Sequence, residues 1–286
     1  MDESNLNILD RIHASYYQLS AAERKVADHV LVRYDQVQFM SITQLAEECG
    51  VAEATVSRFC RSLRLKGFNA FKLELAQHTA TSQASEFGDG RSADMATPEG
   101  RFREIGRLSQ DAISQTIELA DPKAIERTVA LLEQANRVYC MGSGGSMIMA
   151  MECAHLFSTV SDKFQAVSDS HLQISAVGIM DPRDVIILFS YSGATTGGLQ
   201  ILEYAREKGI RTILITRFNK SPAAKLADVV LRCGSNEGPF QFGSVPAKIA
   251  QLVVVDVLFQ EYFHRNRECC EENIQNIASA LSGMHI

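Results

Sequence analysis

The chain of 286 residues has no run of about 18 uninterrupted apolar residues, the length a membrane-spanning helix requires, so no membrane partner is expected. It has no C-x-x-C pair. Its seven cysteines, an odd number, cannot all form disulfides, and their scatter argues against a structural metal site. Cys49, Cys60, Cys140 and Cys153 fall at apolar positions of expected helices or strands, as reduced thiols buried like small hydrophobes do. The vicinal Cys269 and Cys270 read as incidental thiols in a helical tail. A basic leader is also lacking: the first ten residues, MDESNLNILD, are acidic where a secretory signal would be basic, and a cytoplasmic location is expected. Nor is there an excess of positive charge. With 28 Lys and Arg against 34 Asp and Glu, the net charge of -6 excludes a protein that coats nucleic acid indiscriminately. It leaves room for a small basic patch, because local field and not net charge guides docking.

What is present divides into two domains, as the length suggests. Residues 5–19 and 21–34 have helical apolar spacing, with Ser20 as N-cap and Glu23 completing a capping box. Residues 41–48 and 52–65 then read as a helix-turn-helix. Leu45, Cys49, Val51, Val56 and Phe59 take the buried side, Ala46 sits where the helices cross, and Gly50 marks the turn. The second helix is expected to expose Thr55, Ser57, Arg58 and Arg61, followed by Arg64 and Lys66. Between Ala54 and Leu73 there are five basic residues and no acidic one, the local charge that phosphate contact in a major groove needs. A further helix over 70–77 closes an all-α domain at residues 1–78.

Residues 79–100 are rich in Ser, Thr, Gly and Asp and poor in apolar side chains, and are expected to be a linker. The second domain spans 101–286, with its core at 121–265. Helices at 101–120 and 121–134 precede five strand-length runs at 137–141, 164–167, 184–189, 211–216 and 228–231. Helices are expected between and after them at 146–160, 170–180, 195–208, 221–226 and 244–263. Such alternation implies an α/β fold with a mainly parallel five-stranded sheet flanked by helices, whose ligands collect beyond the carboxyl ends of the strands.

Two of those ends carry loops suited to an anion. Gly142-Ser143-Gly144-Gly145-Ser146 follows the first strand and opens a helix. Ser190-Tyr191-Ser192-Gly193-Ala194-Thr195-Thr196 does the same after the third. Backbone N–H groups at a helix terminus, together with hydroxyls, bind phosphate without a buried cation. Met147 stands where a dinucleotide fingerprint would have its third glycine, so a nicotinamide cofactor is not expected, and no other cofactor is implied. His171, beyond the second strand, is placed to meet ligand hydroxyls.

The chain resembles RpiR-family transcriptional regulators, in which a helix-turn-helix domain precedes a sugar isomerase (SIS) domain. In the N-terminal half the resemblance is carried by residues 19–27, LSAAERKVA, by Ala54-Thr55-Val56-Ser57-Arg58-Phe59-Cys60-Arg61, by Gly67-Phe68, and by Phe71-Lys72-Leu73. In the C-terminal half it rests on the two loops, on residues 221–228, SPAAKLAD, and on Lys248-Ile249-Ala250-Gln251-Leu252. It implies a regulator of carbohydrate metabolism that binds operator DNA, responds to a phosphorylated sugar and assembles as a homodimer or homotetramer. By position, Ser143, Ser190, Ser192 and Thr195 would hold the phosphate, with Gly144 and Ser146 in the first loop and His171 and Ser244 completing the effector set. Thr55, Ser57, Arg58 and Arg61, with Arg64 and Lys66, would meet DNA. Three positions depart from the family pattern. Ala52 replaces a capping serine, Ala194 a glutamate and Lys248 an arginine.

The rival reading is a phosphosugar isomerase with a helical extension. Aldose–ketose isomerisation needs a base in the pocket, and the residues available are Glu152, His155, His171 and Glu237. A scaffold that has lost both activities is a third class, against which the retained hydroxyls argue.

Overall fold

The computed structural model describes residues 7–86, 97–234 and 244–282, which fall into two compact units. The first is built mainly from residues up to Leu108 and the second from Ser109 onward.

The first unit contains α1 (Ile8–Ser15), α2 (Ala21–Val37), α3 (Ile42–Glu48), α4 (Glu53–Ser62) and α5 (Phe68–Glu86). The single helix expected over 5–19 is shorter. It ends at Ser15 and passes through a 3-10 turn at Tyr16–Gln18, because Leu19 and Ser20 must be extended to present the next cap. That cap forms as the spacing predicts: the Glu23 N–H donates to Ser20 Oγ at 3.4 Å, and the Ser20 N–H donates to Glu23 Oε2 at 3.0 Å. Ile8, Ile12, Val26, Val30, Leu45, Val56, Phe59, Phe71 and Leu75 make one core in which Phe59 and Phe71 meet edge to face at 5.5 Å.

Residues 79–86, expected in the linker, instead continue α5, and 98–100 open α6 (Pro98–Leu119). Phe71, Leu75 and Thr79 anchor α5 by burial, and a helix once formed propagates at little cost per added residue. The remainder of the expected linker, 87–96, lies outside the described residues.

The second unit continues with α7 (Pro122–Gln134), β1 (Val138–Gly142), α8 (Gly145–Ser158), β2 (Phe164–Ala166) and α9 (Ser170–Ile179). It ends with β3 (Val185–Phe189), α10 (Thr196–Glu207), β4 (Arg211–Thr216), β5 (Val229–Arg232), α11 (Val245–Arg265) and α12 (Arg267–Leu281). The helix expected over 221–226 is only a 3-10 turn at Ala223–Lys225. All five strands are parallel, in the order β2-β1-β3-β4-β5. Every residue of β3 is buried: Val185, Ile187 and Phe189 face a core shared with α7, α8 and α11, while Ile186 and Leu188 face α9 and α10. The period of two along a central strand therefore fills both faces at once.

Glu23 also ties the first unit together, since Ser62 at the end of α4 donates its hydroxyl to Glu23 Oε1 at 2.8 Å. Burial pushes the Glu23 carboxyl up, but the hydrogen bonds from Ser20 and Ser62 and the charge of Arg58 outweigh it and hold it below its ordinary 4.5. A lowered carboxyl stabilises the fold above its unfolded-state pKa, and that contribution is lost as pH falls through the lower, folded value. Glu23→Gln is expected to cost about 1 kcal/mol at neutral pH. The gap between the two proteins should narrow in urea titrations as pH falls below the ordinary carboxyl value of 4.5 and through the lower, folded one, and a gap constant with pH would contradict the assignment.

Candidate functional sites

The helix-turn-helix is built by local rules with one exception. Ser41 and Gln44 form a reciprocal capping box at the start of α3, and the turn passes through Gly50 at φ +62°. The Val51 N–H then donates to the Ala46 carbonyl at 2.9 Å. α4 begins at Ala52, and no side chain caps it. Thr43 instead donates its hydroxyl to Glu53 Oε1 at 2.8 Å, so one carboxylate in the first turn joins the two helices.

Arg58, Arg61, Arg64 and Lys66 are exposed, and Ser57 is half-buried. Thr55 corrects the expected face: it is 4% exposed, and its Oγ1 accepts from Arg58 Nη2 at 3.2 Å. A threonine beside Val56 fits either side of an amphipathic helix, and here the core takes it. Cys49 and Val51 are only partly buried, whereas Leu45, Ala46, Val56 and Phe59 are fully packed. Burial pushes the Cys60 thiol to about 12 and the Cys49 thiol to about 11, so both stay protonated and inert at neutral pH. Among the described residues no cluster has the composition of a metal site.

In the second unit, β1 and β3 are direct neighbours, with Gly142 opposite Phe189. The two glycine- and serine-rich loops therefore leave the sheet side by side. β1 has β2 on one flank and β3 on the other, the switch point at which a parallel sheet opens a crevice beyond its carboxyl edge. The structure thus brings the first-loop residues Ser143, Gly144 and Ser146 next to the second-loop residues Ser190, Ser192 and Thr195. Ser143 and Thr195 are exposed, Ser146 and Ser192 half-buried and Ser190 buried, with Ser190 Oγ 3.4 Å from Thr195 Oγ1.

The helix starts decide which ends remain available to an anion. α8 begins at Gly144 and α10 at Thr195, and neither has a side-chain cap. α9 is capped by Asp169, which accepts from the Leu172 N–H at 2.9 Å. α11 is capped by Ser244, which accepts from the Ala247 N–H at 3.3 Å. Ser244, expected among the effector contacts, thus has its hydroxyl engaged at its own helix. His171 is exposed in the first turn of α9, next to a carboxylate that already offsets that helix end.

Both loops are held by buried polar side chains that sequence reasoning missed. Gln173 is 2% exposed, and its Nε2 donates to the Gly142 carbonyl at 2.8 Å and the Val167 carbonyl at 2.7 Å, clasping the ends of β1 and β2. The available signal was a glutamine on the apolar stripe it shares with Val177 and Met180. Thr216, fully buried, donates to the Tyr191 carbonyl at 3.0 Å. The Ala223 N–H donates to the Gly193 carbonyl at 2.9 Å. Two glycines are obligatory here. A Cβ on Gly142 would stand 2.9 Å from the Ser146 carbonyl group, and one on Gly193, at φ +59°, would stand 2.1 Å from Ser221 Oγ.

Of the residues an isomerase would need, Glu152 and His155 lie on the exposed side of α8, Glu152 about 10 Å along the axis from Gly145. Ala194 leaves the second loop without a carboxylate, and Glu237 lies outside the described residues.

Gly193→Ala is expected to cost about 2–3 kcal/mol, from the left-handed backbone and the clash with Ser221 together. Adding Ser221→Gly should recover part of that loss in a denaturant titration. No recovery would mean that the backbone conformation alone sets the cost.

The helix-turn-helix domain of the rpiR family matches residues 6–82, and the SIS domain matches residues 131–260. The HTH-type transcriptional regulator HexR of Pseudomonas aeruginosa is 31% identical over 252 residues, covering 88% of this chain and 87% of that protein. HexR of Escherichia coli K12 is 29% identical over 279 residues, covering 96% and 94%. Among solved structures, the Vibrio vulnificus NanR protein complexed with ManNAc-6P superposes with a TM-score of 0.86 at 27% identity, covering 98% of this chain and 99% of that one. The chain belongs to the rpiR family of helix-turn-helix transcriptional regulators that carry a SIS domain.

Proposed function

We propose that the SIS unit of this regulator binds a phosphorylated sugar between the loops at Ser143 and Ser190, and that occupancy alters the affinity of the helix-turn-helix for operator DNA. The observation that carries the reading is the pairing of two uncapped helix starts, α8 and α10, on adjacent strands and surrounded by hydroxyls. An uncapped helix terminus leaves N–H groups and a positive end that a phosphate satisfies. Ser143, Ser146, Ser190, Ser192 and Thr195 are the phosphate contacts in this proposal, and His171 meets the sugar. NanR, the full-length structural relative, is complexed with a sugar phosphate, which supports the same ligand class here. Catalysis is not part of the proposal, because no base stands in the second loop and the relatives are regulators by name.

The DNA contacts are Ser57, Arg58, Arg61, Arg64 and Lys66, from a cytoplasmic homodimer or homotetramer that sets two copies of α4 about one DNA turn apart. Along the chain, α6 and α7 lead from the first unit to the sheet, and they carry the coupling. A coupling of about 1–3 kcal/mol changes operator affinity by roughly 5- to 150-fold.

Titration with hexose phosphates and N-acetylamino-sugar phosphates, alongside an isomerase assay, tests the effector site. Ser190→Ala with Thr195→Ala should leave DNA binding intact and abolish the ligand response. A normal response in that variant removes the phosphate site from these loops, and turnover of any of the sugars makes the chain an enzyme. Arg58→Ala is expected to weaken operator binding by at least tenfold while ligand affinity is unchanged. Undiminished DNA affinity would move the groove contact elsewhere.

A further inference from the structure

Thr116 is 3% exposed in the C-terminal half of α6, and its hydroxyl is used twice. It donates to the Ala112 carbonyl at 2.6 Å, one turn back along the same helix, and it accepts from the Gly234 N–H at 2.9 Å. Gly234 is buried and follows the end of β5 by two residues. The two backbones approach so closely there that a Cβ on Gly234 would stand 2.4 Å from Gln115 Cβ, 2.5 Å from the Gln115 carbonyl carbon and 2.6 Å from the Thr116 nitrogen. Only glycine allows that approach.

The same exit from β5 is tied to the second loop. The Cys233 N–H donates to the Thr216 carbonyl at the end of β4, at 2.9 Å. Thr216 donates its own hydroxyl to the Tyr191 carbonyl at 3.0 Å, and the Arg217 N–H donates to that same carbonyl at 3.1 Å. Tyr191 lies between Ser190 and Ser192, two of the proposed phosphate contacts. A phosphate that draws those serines toward itself therefore shifts the carbonyl on which Thr216 and Arg217 rest. From Tyr191 to Ala112 the line runs through Thr216, Cys233, Gly234 and Thr116, all four of them buried. Water cannot replace a hydrogen bond stretched there, and backbones already in contact cannot close further, so a displacement is carried onward and not absorbed.

At the far end of the line, α6 is one helix from Pro98 to Leu119, and the boundary between the two units falls inside it, after Leu108. The first loop is tied elsewhere. Gln173 holds Gly142 to α9 and to the end of β2, the flank of the sheet opposite β5.

We propose that occupancy of the second loop is passed to α6 through Thr216, the β5 exit and Thr116, which makes Thr116 and Gly234 coupling residues that touch neither sugar nor DNA. The inference rests on the effector reading above and gives it a route through particular residues.

The test uses the full chain, ManNAc-6P and glucose 6-phosphate as probes, and a duplex taken from upstream of the chain's own gene. Thr116→Val keeps the shape of the side chain and removes its hydroxyl, while Thr116→Ser keeps the hydroxyl. Where a probe changes the duplex affinity of the unmodified protein, Thr116→Val should bind that probe and the duplex each within about threefold of normal, yet respond by less than about twofold. Thr116→Ser should retain the response. A full response in Thr116→Val overturns the proposal. So does a loss of probe binding, of duplex binding or of β3 protection in hydrogen exchange, which would make the hydroxyl a support of the fold. A second arm needs no ligand: hydrogen exchange over residues 109–119 is compared in Thr216→Val, Thr116→Val and the double variant. Thr216→Val should speed exchange in α6, and the double variant should exchange no faster than Thr116→Val. An unchanged α6 in Thr216→Val, or effects that simply add, means that no line joins the two threonines and overturns the proposal. If neither probe acts on the unmodified protein, the effector reading fails for these sugars, and the exchange comparison still decides the route. If Ser190→Ala with Thr195→Ala responds normally, the effector reading fails whatever Thr116 does.

Discussion

The pairing of β1 with β3 is the constraint on which the proposed effector site depends. With Gly142 set opposite Phe189, both strands end at the same level, and the chain leaves each of them into a loop and then a helix. Because β2 lies on the far flank of β1, the two departures stand at the switch point of the sheet, where parallel α/β folds bind their ligands. The two loops at that point carry no ionisable side chain other than the tyrosine hydroxyl of Tyr191. Hydroxyls and helix termini bind phosphate without the desolvation that a buried lysine or arginine would suffer in the empty protein. The same choice makes the loops depend on their supports. Gln173, Thr216 and Ser221 are all buried, and they hold or pack against backbone of the two exits.

Both units relax local rules in the regions assigned to binding. α4 starts without a capping side chain and ends in a left-handed arginine, and α8 and α10 start uncapped. α2, α3, α9 and α11 are all capped by their own Ser or Asp. An unmet backbone group on a structural helix costs free energy with no return, whereas at an interface the ligand supplies the partner. α12 also starts without a side-chain cap, so an open helix start marks a candidate site only where, as at α8 and α10, two of them stand on adjacent strands.

Stability is concentrated away from these ends. In the first unit it lies in the packing of Phe59 against Phe71 and in the Glu23 carboxylate, which joins the start of α2 to the end of α4. In the second it lies in a central strand buried on both faces. Rigid supports beneath unsatisfied termini give pre-organised sites, since ordering costs are met during folding and not on binding.

The sequence by itself determined the elements whose signals are local. The Ser20–Glu23 cap, the turn at Gly50, the five β-rich runs and the two glycine-serine loops follow from spacings of a few residues, and so did the order of helical domain before α/β domain. Only the tertiary structure decided features set by residues far apart in the chain. Thr55 is buried although its helix offered it either face, and Gln173 turns out to clasp Gly142 and Val167. Two other differences are local: Ser244 caps α11 through the N–H of Ala247, three residues on, and α5 continues through residues read as linker. Periodicity and capping are short-range preferences worth about 1 kcal/mol each, and they are visible wherever nothing opposes them. Which of two allowed faces a small polar side chain takes is settled by contacts tens of residues away, and those exist only once the core has closed.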